Sequence, residues 1–165
     1  GASVMPPDDA PSHEPPSTRV MAADQVAVMR HFGFERFLVC AHDRGARVAH
    51  RMALDDADAV ERLMLLDIAP TSEADAHAKW AAAANERDLE HDRADIERGN
   101  KIGCPLRVLW GAHGALGQYA DPLAGWRKVA RDVSGRALPC GHAIPEEAPD
   151  ELMAEMLSFF EAIDS

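Results

Sequence analysis

Asp43 stands at a corner of the chain, where an apolar run ends and a helix-like pattern begins. Residues 37–41 predict a buried strand, and residues 46–54 predict a helix. Ala41 and Gly45 lie two residues before and two residues after Asp43, the spacing of small residues that a sharp strand-to-helix turn needs, because both elements approach closely there. Such a turn presents one side chain above the end of the sheet. A carboxylate in that place predicts a nucleophile that attacks a saturated or strained carbon and forms a covalent ester.

An ester of this kind has to be hydrolysed by an activated water, so the chemistry requires a base elsewhere in the chain. The candidate base is His142, which follows Gly141 after the last predicted strand. Two simpler interpretations compete with this one: Asp43 caps the following helix, and His142 is a loop residue bonded to backbone. The small residues around Asp43 and the downstream histidine favour the catalytic interpretation.

The predicted elements bring these residues to one edge of a sheet. A second buried strand, apolar on both faces, is predicted at residues 62–68. A third strand is predicted at residues 104–111, and a short final strand precedes His142. Strands that alternate with helices predict a parallel sheet with right-handed crossovers. Asp67 then lies at the carboxyl end of its strand, on the edge that carries Asp43, where open parallel sheets bind ligands.

The spacing of apolar residues predicts three more helices, at residues 19–31, 122–133 and 150–163. Residues 73–87 favour helix by propensity, whereas residues 90–95 are charged and predict a solvated stretch. His91 and Asp92 suggest a metal site, but no third ligand stands at a suitable spacing. We therefore expect neither a metal nor another cofactor.

Length and charge limit the classes of partner. The 165 residues suit a single domain, and the net charge of −11 disfavours nucleic acid and anionic membrane surfaces, although it allows a small anionic substrate. No apolar run is long enough to span a bilayer, and no secretory signal opens the chain. The three cysteines cannot all pair with one another and form no CxxC motif, which predicts a reducing, cytoplasmic location.

The sequence resembles the haloacetate (fluoroacetate) dehalogenases within the α/β-hydrolase fold. The resemblance covers residues 1–71 and resumes from about residue 88 to the C-terminus. It implies an α/β class fold with a partial α/β-hydrolase core, a mostly parallel sheet with flanking helices, in one incomplete domain of residues 1–165. Four stretches carry it: His42-Asp43-Arg44-Gly45-Ala46-Arg47-Val48, Leu65-Leu66-Asp67-Ile68-Ala69-Pro70-Thr71, Leu109-Trp110-Gly111, and Gly141-His142 with Pro145-Glu146-Glu147-Ala148-Pro149.

The resemblance implies a role for each candidate residue. Asp43 would displace halide from the carbon beside the carboxylate of a 2-haloacid such as haloacetate, and His142 would activate water against the ester to release a 2-hydroxy acid. Asp67 would orient and stabilise the imidazolium. Arg44 and Arg47 would hold the substrate carboxylate, since forked guanidinium donors match two oxygens. The simpler interpretation of the two arginines is surface ion pairing with nearby Asp residues.

The sequence also departs from the family pattern. Full-length members have strands before the first helix, and a loop after one of them supplies half of the oxyanion hole, so we expect one donor here, the backbone N–H of Arg44. They also have a helical cap whose His, Trp and Tyr side chains hold the departing halide. Residues 71–100 predict a shortened cap-region linker without a Tyr, and His77 and Trp80 could supply donors only in an arrangement that the family does not predict. By this comparison the chain alone would be weak or inert.

Two other functions stay open at this point. An epoxide hydrolase would need Tyr donors in a cap to protonate the opening ring, and Tyr119, the one tyrosine, follows the third strand. A catalytically inert remnant would act as an interaction module, because the sheet edge left without neighbouring strands would drive self-association into a homo-oligomer.

Overall fold

The structure, a computed structural model, describes residues 17–70 and 86–161. Strands alternate with helices as predicted, which confirms the α/β class. Within the described ranges no helix combines the length and the hydropathy of a membrane span. The elements are α1 (Thr18–His31), β1 (Phe37–His42), α2 (Asp43–Asp55), β2 (Val60–Leu66), α3 (Glu86–Arg98), β3 (Leu106–Gly111), α4 (Ala124–Val129), β4 (Val133–Leu138), α5 (Ile144–Glu147) and α6 (Pro149–Phe160).

The strands form one four-stranded parallel sheet in the order β1-β2-β3-β4. In one row across the sheet, Ala41 pairs with Leu65, Leu65 with Val108, and Val108 with Gly135. Because all strands run the same way, the residues that follow β1, β2, β3 and β4 gather at one edge. Asp43, Asp67 and the segment containing His142 each follow a strand at that edge.

Helices cover both faces of the sheet, so the central strands are apolar on both sides. Leu63 and Leu65 belong to a buried cluster with residues of α1, α2 and α4. Met64 and Leu66, which alternate with them along β2, belong to a second cluster with residues of α5 and α6. This alternation confirms the expected sandwich of a parallel sheet between helical layers.

The element boundaries differ from the prediction by a few residues. The helix after the corner begins at Asp43, three residues before the predicted start, because it follows β1 without a loop. The last strand runs from Val133 to Leu138 and leaves Pro139 and Cys140 outside it. The predicted helix at residues 73–87 lies almost entirely outside the described residues.

The prediction that residues 90–95 form a solvated stretch is wrong for Asp92 and Asp95, which lie buried in α3 against Arg51 of α2, whereas Glu90 and Arg93 are exposed as expected. Arg51, on the buried face of α2, is 1% exposed and forms ion pairs with Asp92, with Asp95 at 2.6 Å and with Asp55 at 3.2 Å. A buried guanidinium needs several acceptors, and α3 supplies two of them. The suggested metal ligand Asp92 is therefore an ion-pair partner, and the described part of the chain contains no group of three metal-binding side chains.

Replacing Arg51 by Met should lower the free energy of unfolding by about 3–5 kcal/mol, because the carboxylates of Asp92 and Asp95 stay buried without a counter-charge. Urea denaturation of wild type and variant measures the difference.

Arg19→Met is the matched control, because Arg19 also binds Asp55, at 2.7 Å, but on the exposed surface. Its loss should cost less than about 1 kcal/mol. Equal losses in the two variants would contradict the assignment of Arg51 as the buried anchor of α3.

His50 is a second buried polar residue of α2. The residue is 4% exposed, its ring lies edge-on to Trp126, and its Nε2 atom has no hydrogen-bond partner among the residues described. Burial lowers the pKa of His50, and the nearby charge of Asp92 opposes that effect only in part. His50 is therefore neutral in the folded chain at pH values where it is already protonated in the unfolded chain.

We expect the free energy of unfolding to fall as the pH drops below about 6.5, the ordinary pKa of histidine. Below that pH the unfolded chain binds a proton at His50, whereas His50 in the folded chain stays unprotonated to lower pH. His50→Gln removes this component, so its unfolding free energy should change less between about pH 7 and pH 5. Denaturation over that range measures the slope. The exposed His31, replaced by Gln, should keep the wild-type slope, and an unchanged slope in His50→Gln would refute the prediction.

β1 is an outer strand of the described sheet, and its Leu38 and Cys40 side chains are exposed. Beside it lies an open, largely apolar groove of about 430 Å³ between α1, α2 and β1. Self-association through this edge stays a prediction. Size-exclusion chromatography with light scattering tests it: we expect a dimer or larger species, and a monomer at all concentrations would contradict it.

Candidate active site

Asp43 adopts a backbone conformation that is uncommon for a residue with a side chain. Its φ is +50°, in the left-handed region, where Asp and Asn are tolerated better than most residues. His42 directly precedes α2 and makes no side-chain hydrogen bond as its cap. The carboxylate is exposed at the end of the sheet, as expected of a side chain at a sharp strand-to-helix corner.

Asp67 is fixed directly after β2. Its φ is +48°, its backbone N–H donates to the carbonyl of Leu109 at 2.8 Å, and Oδ1 accepts a hydrogen bond from the N–H of Gly111 at 3.1 Å. The side chain is 1% exposed. The next residue, Ile68, accepts a hydrogen bond from the indole N–H of Trp126 at 3.0 Å. These contacts leave Oδ2 of Asp67 as the oxygen that faces the site.

His142 meets Asp67 across the edge of the sheet. The Nδ1 atom of His142 lies 2.6 Å from Oδ2 of Asp67. A carboxylate only accepts hydrogen bonds, so Nδ1 carries a proton, and in the neutral imidazole Nε2 then keeps a lone pair. The imidazole is 53% exposed, which leaves Nε2 accessible to water. The pair thus has the geometry of a general base with an orienting acid.

His42 links the corner at Asp43 to the segment that carries His142. Its Nε2 donates to the backbone carbonyl of His142 at 2.9 Å, and the two imidazole rings lie 4.7 Å apart between centroids. Because Asp43 follows His42 directly, this contact brings the start of α2 to the Asp67–His142 pair. The three residues expected to do the chemistry therefore lie at the same edge of the sheet.

Arg44 and Arg47 lie on the first turns of α2. Arg44 is exposed, and Arg47 is half-buried. Burial lowers the pKa of Arg47, while the charge of Asp43 raises it and the charge of Arg44 lowers it further. Asp88 and Asp92 also raise it. Arg47 therefore lies in the electric field of both Asp43 and Arg44, near the N-terminus of a helix, a place that favours an anion.

One acidic residue of the site escaped the sequence interpretation. Glu147 accepts hydrogen bonds from the backbone N–H groups of Gly141, at 2.6 Å, and Ala143, at 3.1 Å, on either side of His142. A signal existed, because a Glu in the first turn of a helix often bonds back to the N–H of the cap residue, here Ala143. The contact between His42 and the carbonyl of His142 had no signal in the sequence.

Chemically, this edge offers a carboxylate on a sharp turn, an imidazole with an orienting carboxylate, and two cations. The backbone N–H of Arg44, in the first turn of α2, has no intrahelical partner and suits an oxyanion. His77 and Trp80, considered above as donors to a departing halide, lie outside the described residues.

Comparison with known proteins supports the fold and a hydrolase ancestry. A fluoroacetate dehalogenase from Burkholderia sp. is 41% identical over 140 aligned residues, which cover 76% of this chain and 44% of the relative. The chain thus spans less than half the length of that enzyme. A soluble epoxide hydrolase from Corynebacterium sp. (strain C12) is 27% identical over 211 residues, covering 86% of this chain and 73% of the relative. A scan against models of protein families gives no match.

Solved structures give the same fold. A protein from Nostoc sp. PCC 7120, described as an α/β hydrolase, superposes with a TM-score of 0.80 at 35% identity, covering 88% of this chain and 73% of its own. A protein from Pseudomonas aeruginosa, described as an epoxide hydrolase, gives 0.80 at 25% identity, covering 92% of this chain and 74% of its own. The chain therefore belongs to the α/β-hydrolase family, within which it is similar to fluoroacetate dehalogenase.

Proposed function

We propose that this chain carries the catalytic residues of a hydrolase that removes halide from a 2-haloacid and yields a 2-hydroxy acid. The observation that carries the proposal is the arrangement at one sheet edge: Asp43 on a left-handed turn, next to the His42 contact that joins it to the Asp67–His142 pair. The similarity to fluoroacetate dehalogenase supports the same chemistry.

In the first step, a carboxylate oxygen of Asp43 attacks the carbon beside the substrate carboxylate. A carbon–oxygen bond forms, the carbon–halogen bond breaks, and the halide leaves with its electron pair. Arg44 and Arg47 hold the substrate carboxylate and oppose the repulsion between two anions. The halide gains no proton in this step, so its departure depends on hydrogen-bond donors around it.

In the second step, water hydrolyses the ester on Asp43. Nε2 of His142 takes a proton from the water, whose oxygen attacks the ester carbonyl, and Asp67 stabilises the imidazolium that forms. The N–H of Arg44 supports the oxyanion of the tetrahedral intermediate. Collapse of the intermediate returns the carboxylate of Asp43, and the leaving alkoxide receives the proton to give the 2-hydroxy acid.

Epoxide hydrolysis is the second candidate, since it uses the same nucleophile and base and two of the relatives are described as epoxide hydrolases. An epoxide carries no carboxylate, so it leaves Arg44 and Arg47 without a role. It also needs an acid that protonates the ring oxygen. The arginine pair beside Asp43 therefore favours the haloacid.

The test is to incubate the chain with chloroacetate, fluoroacetate and a neutral epoxide, and to measure halide and diol. We expect chloride release and little fluoride release, because fluoride is the poorer leaving group and needs more donors. Chloropropane, which has the same carbon–chlorine bond without the carboxylate, is the matched control substrate.

Diol without halide would favour the epoxide hydrolase. No product from any substrate would favour the inert interaction module. Equal turnover of chloroacetate and chloropropane would contradict the role of the two arginines.

A further inference from the structure

Two side chains, those of Glu147 and His42, bind the backbone around His142 from two sides. Neither side chain takes part in the proposed chemical steps. We define the His142 loop as residues 139–143, between β4 and α5. Glu147, on α5, spans the loop: Oε2 accepts from the N–H of Gly141 at 2.6 Å and Oε1 accepts from the N–H of Ala143 at 3.1 Å. One carboxylate thus fixes the peptide groups before and after His142.

His42 holds the remaining polar group of that segment. Its Nε2–H donates to the carbonyl oxygen of His142 at 2.9 Å, and its ring packs against the His142 ring at an angle of 40°. Glu147 and His42 therefore bind three consecutive parts of the backbone: the N–H of Gly141, the carbonyl of His142 and the N–H of Ala143.

The packing of the loop leaves little room for an alternative position. A Cβ atom at position 141 would lie 2.9 Å from Oε2 of Glu147, so a larger residue there would displace the carboxylate from its present position. A Cβ atom at position 111, at the end of β3, would lie 1.8 Å from the carbonyl oxygen of Gly141. The His142 loop thus packs closely against the end of β3 on one side and against the Glu147 carboxylate on the other.

These contacts matter because the imidazole itself has one strong anchor. The ring is half-exposed, and its Nδ1 bond to Asp67 fixes one atom but leaves the ring free to pivot about it. A fixed backbone holds the Cα atom of His142, and together with the Nδ1 bond this limits how far the ring can pivot. Charge-assisted hydrogen bonds to a carboxylate, such as those of Glu147, are the stronger kind. A displacement of about 1 Å in a catalytic group is sufficient to cost roughly a hundredfold in rate.

We propose that Glu147 and His42 are positioning residues that hold His142 against Asp67, with its Nε2 directed at the reacting water. The orientation of the imidazole can be tested by itself, whereas the effect of that orientation on the rate of ester hydrolysis rests on the proposed function. The competing explanation is that Glu147 merely caps the short helix α5. A cap would affect stability without moving the histidine.

The experiment follows the low-field proton NMR signal of the His142 Nδ1–H, which its short bond to Asp67 should shift and protect from exchange. Wild type should show the signal, and Asp67→Asn identifies it by its loss. Glu147→Ala should broaden or abolish it. Glu147→Gln keeps one acceptor oxygen of two and should give an intermediate signal, and His42→Phe, which keeps a ring but loses the donor, should also weaken it.

Glu146→Ala is the matched control, because Glu146 is the adjacent exposed carboxylate on α5 and forms no side-chain hydrogen bond to the described residues. It removes the same charge and should leave the signal unchanged. Thermal unfolding of every variant measures stability separately. A wild-type signal in Glu147→Ala with a lowered Tm would establish a cap and overturn the proposal, as would the absence of the signal from wild type.

Kinetics give the second readout. Glu147→Ala should slow hydrolysis of the ester about tenfold to a hundredfold while the ester forms at its wild-type rate, because only hydrolysis uses His142. Equal slowing of both steps would overturn the expected effect on ester hydrolysis. If wild type releases no halide, the proposed function fails, and the NMR series still decides whether Glu147 and His42 hold the histidine.

Discussion

Asp43→Asn should reduce halide release from chloroacetate by roughly 10⁴-fold or more, the order of effect seen when a catalytic nucleophile is removed. The amide oxygen has the shape of the carboxylate without its charge, and Asn tolerates the left-handed φ of +50° nearly as well as Asp, so the fold should be kept. Ion chromatography measures the halide. Intact-mass spectrometry adds a direct test: wild type quenched during turnover should carry one carboxymethyl group, and the variant none.

Asp58→Asn is the control for loss of one negative charge, because Asp58 is exposed in the turn between α2 and β2. It should release halide at the wild-type rate. Mass spectrometry also shows whether the substituted amide has deamidated back to Asp during storage. Equal halide release by Asp43→Asn and wild type, with the amide intact, would exclude Asp43 as the nucleophile.

The corner at Asp43 was predictable from sequence because its physical requirements are local. A strand pattern, a small residue on each side and a helix pattern are all readable within about fifteen residues, and the structure confirms the strand and the helix. The prediction that this strand is buried is wrong, because β1 is an outer strand of the described sheet with Leu38 and Cys40 exposed. A Cβ atom at position 45 would meet no atom of the described residues within 4 Å, so the close approach expected at Gly45 is absent too. The parallel order of the strands also followed from the alternation of strands and helices. The placement of Asp67 and His142 near Asp43 followed from that order, since residues that follow parallel strands lie at one edge of the sheet.

The Arg51 cluster was not predictable in the same way. Residues of α3 look like a solvated stretch because charged side chains outnumber apolar ones, and nothing local indicates that Asp92 and Asp95 face inward. They are buried because Arg51, more than forty residues earlier in the chain, lies on the face of α2 that α3 covers. A burial that depends on a distant opposite charge has no periodicity that a sequence would display.

The contacts of His42 and Glu147 with the His142 loop were missed for a related reason. Both side chains bind backbone groups, and a backbone N–H or carbonyl is the same at every residue, so no pairing of side-chain types points to it. The sequence offers the acid and the base of a site more readily than the contacts that hold them in place.

His142→Gln should separate the two chemical steps. The nucleophile Asp43 is unchanged, so the first turnover should release one halide per chain, but the ester then lacks the base that activates water. Turnover should fall by about 10²–10⁴-fold, the usual contribution of a general base. The carboxymethylated chain should accumulate until it accounts for nearly all of the protein, and mass spectrometry of a tryptic digest should place the added group on the peptide that contains Asp43.

His113→Gln is the control for this substitution, since His113 is exposed in the loop after β3, whose backbone bonds the His142 loop at Cys140. It should turn over without accumulation of the ester. The decisive measurement is the amount of halide that His142→Gln releases in the first burst. One halide per chain, together with a stable ester, identifies His142 as the base of the second step. Continued release over many turnovers by His142→Gln would require another base, and no burst at all would mean that His142 acts before the ester forms.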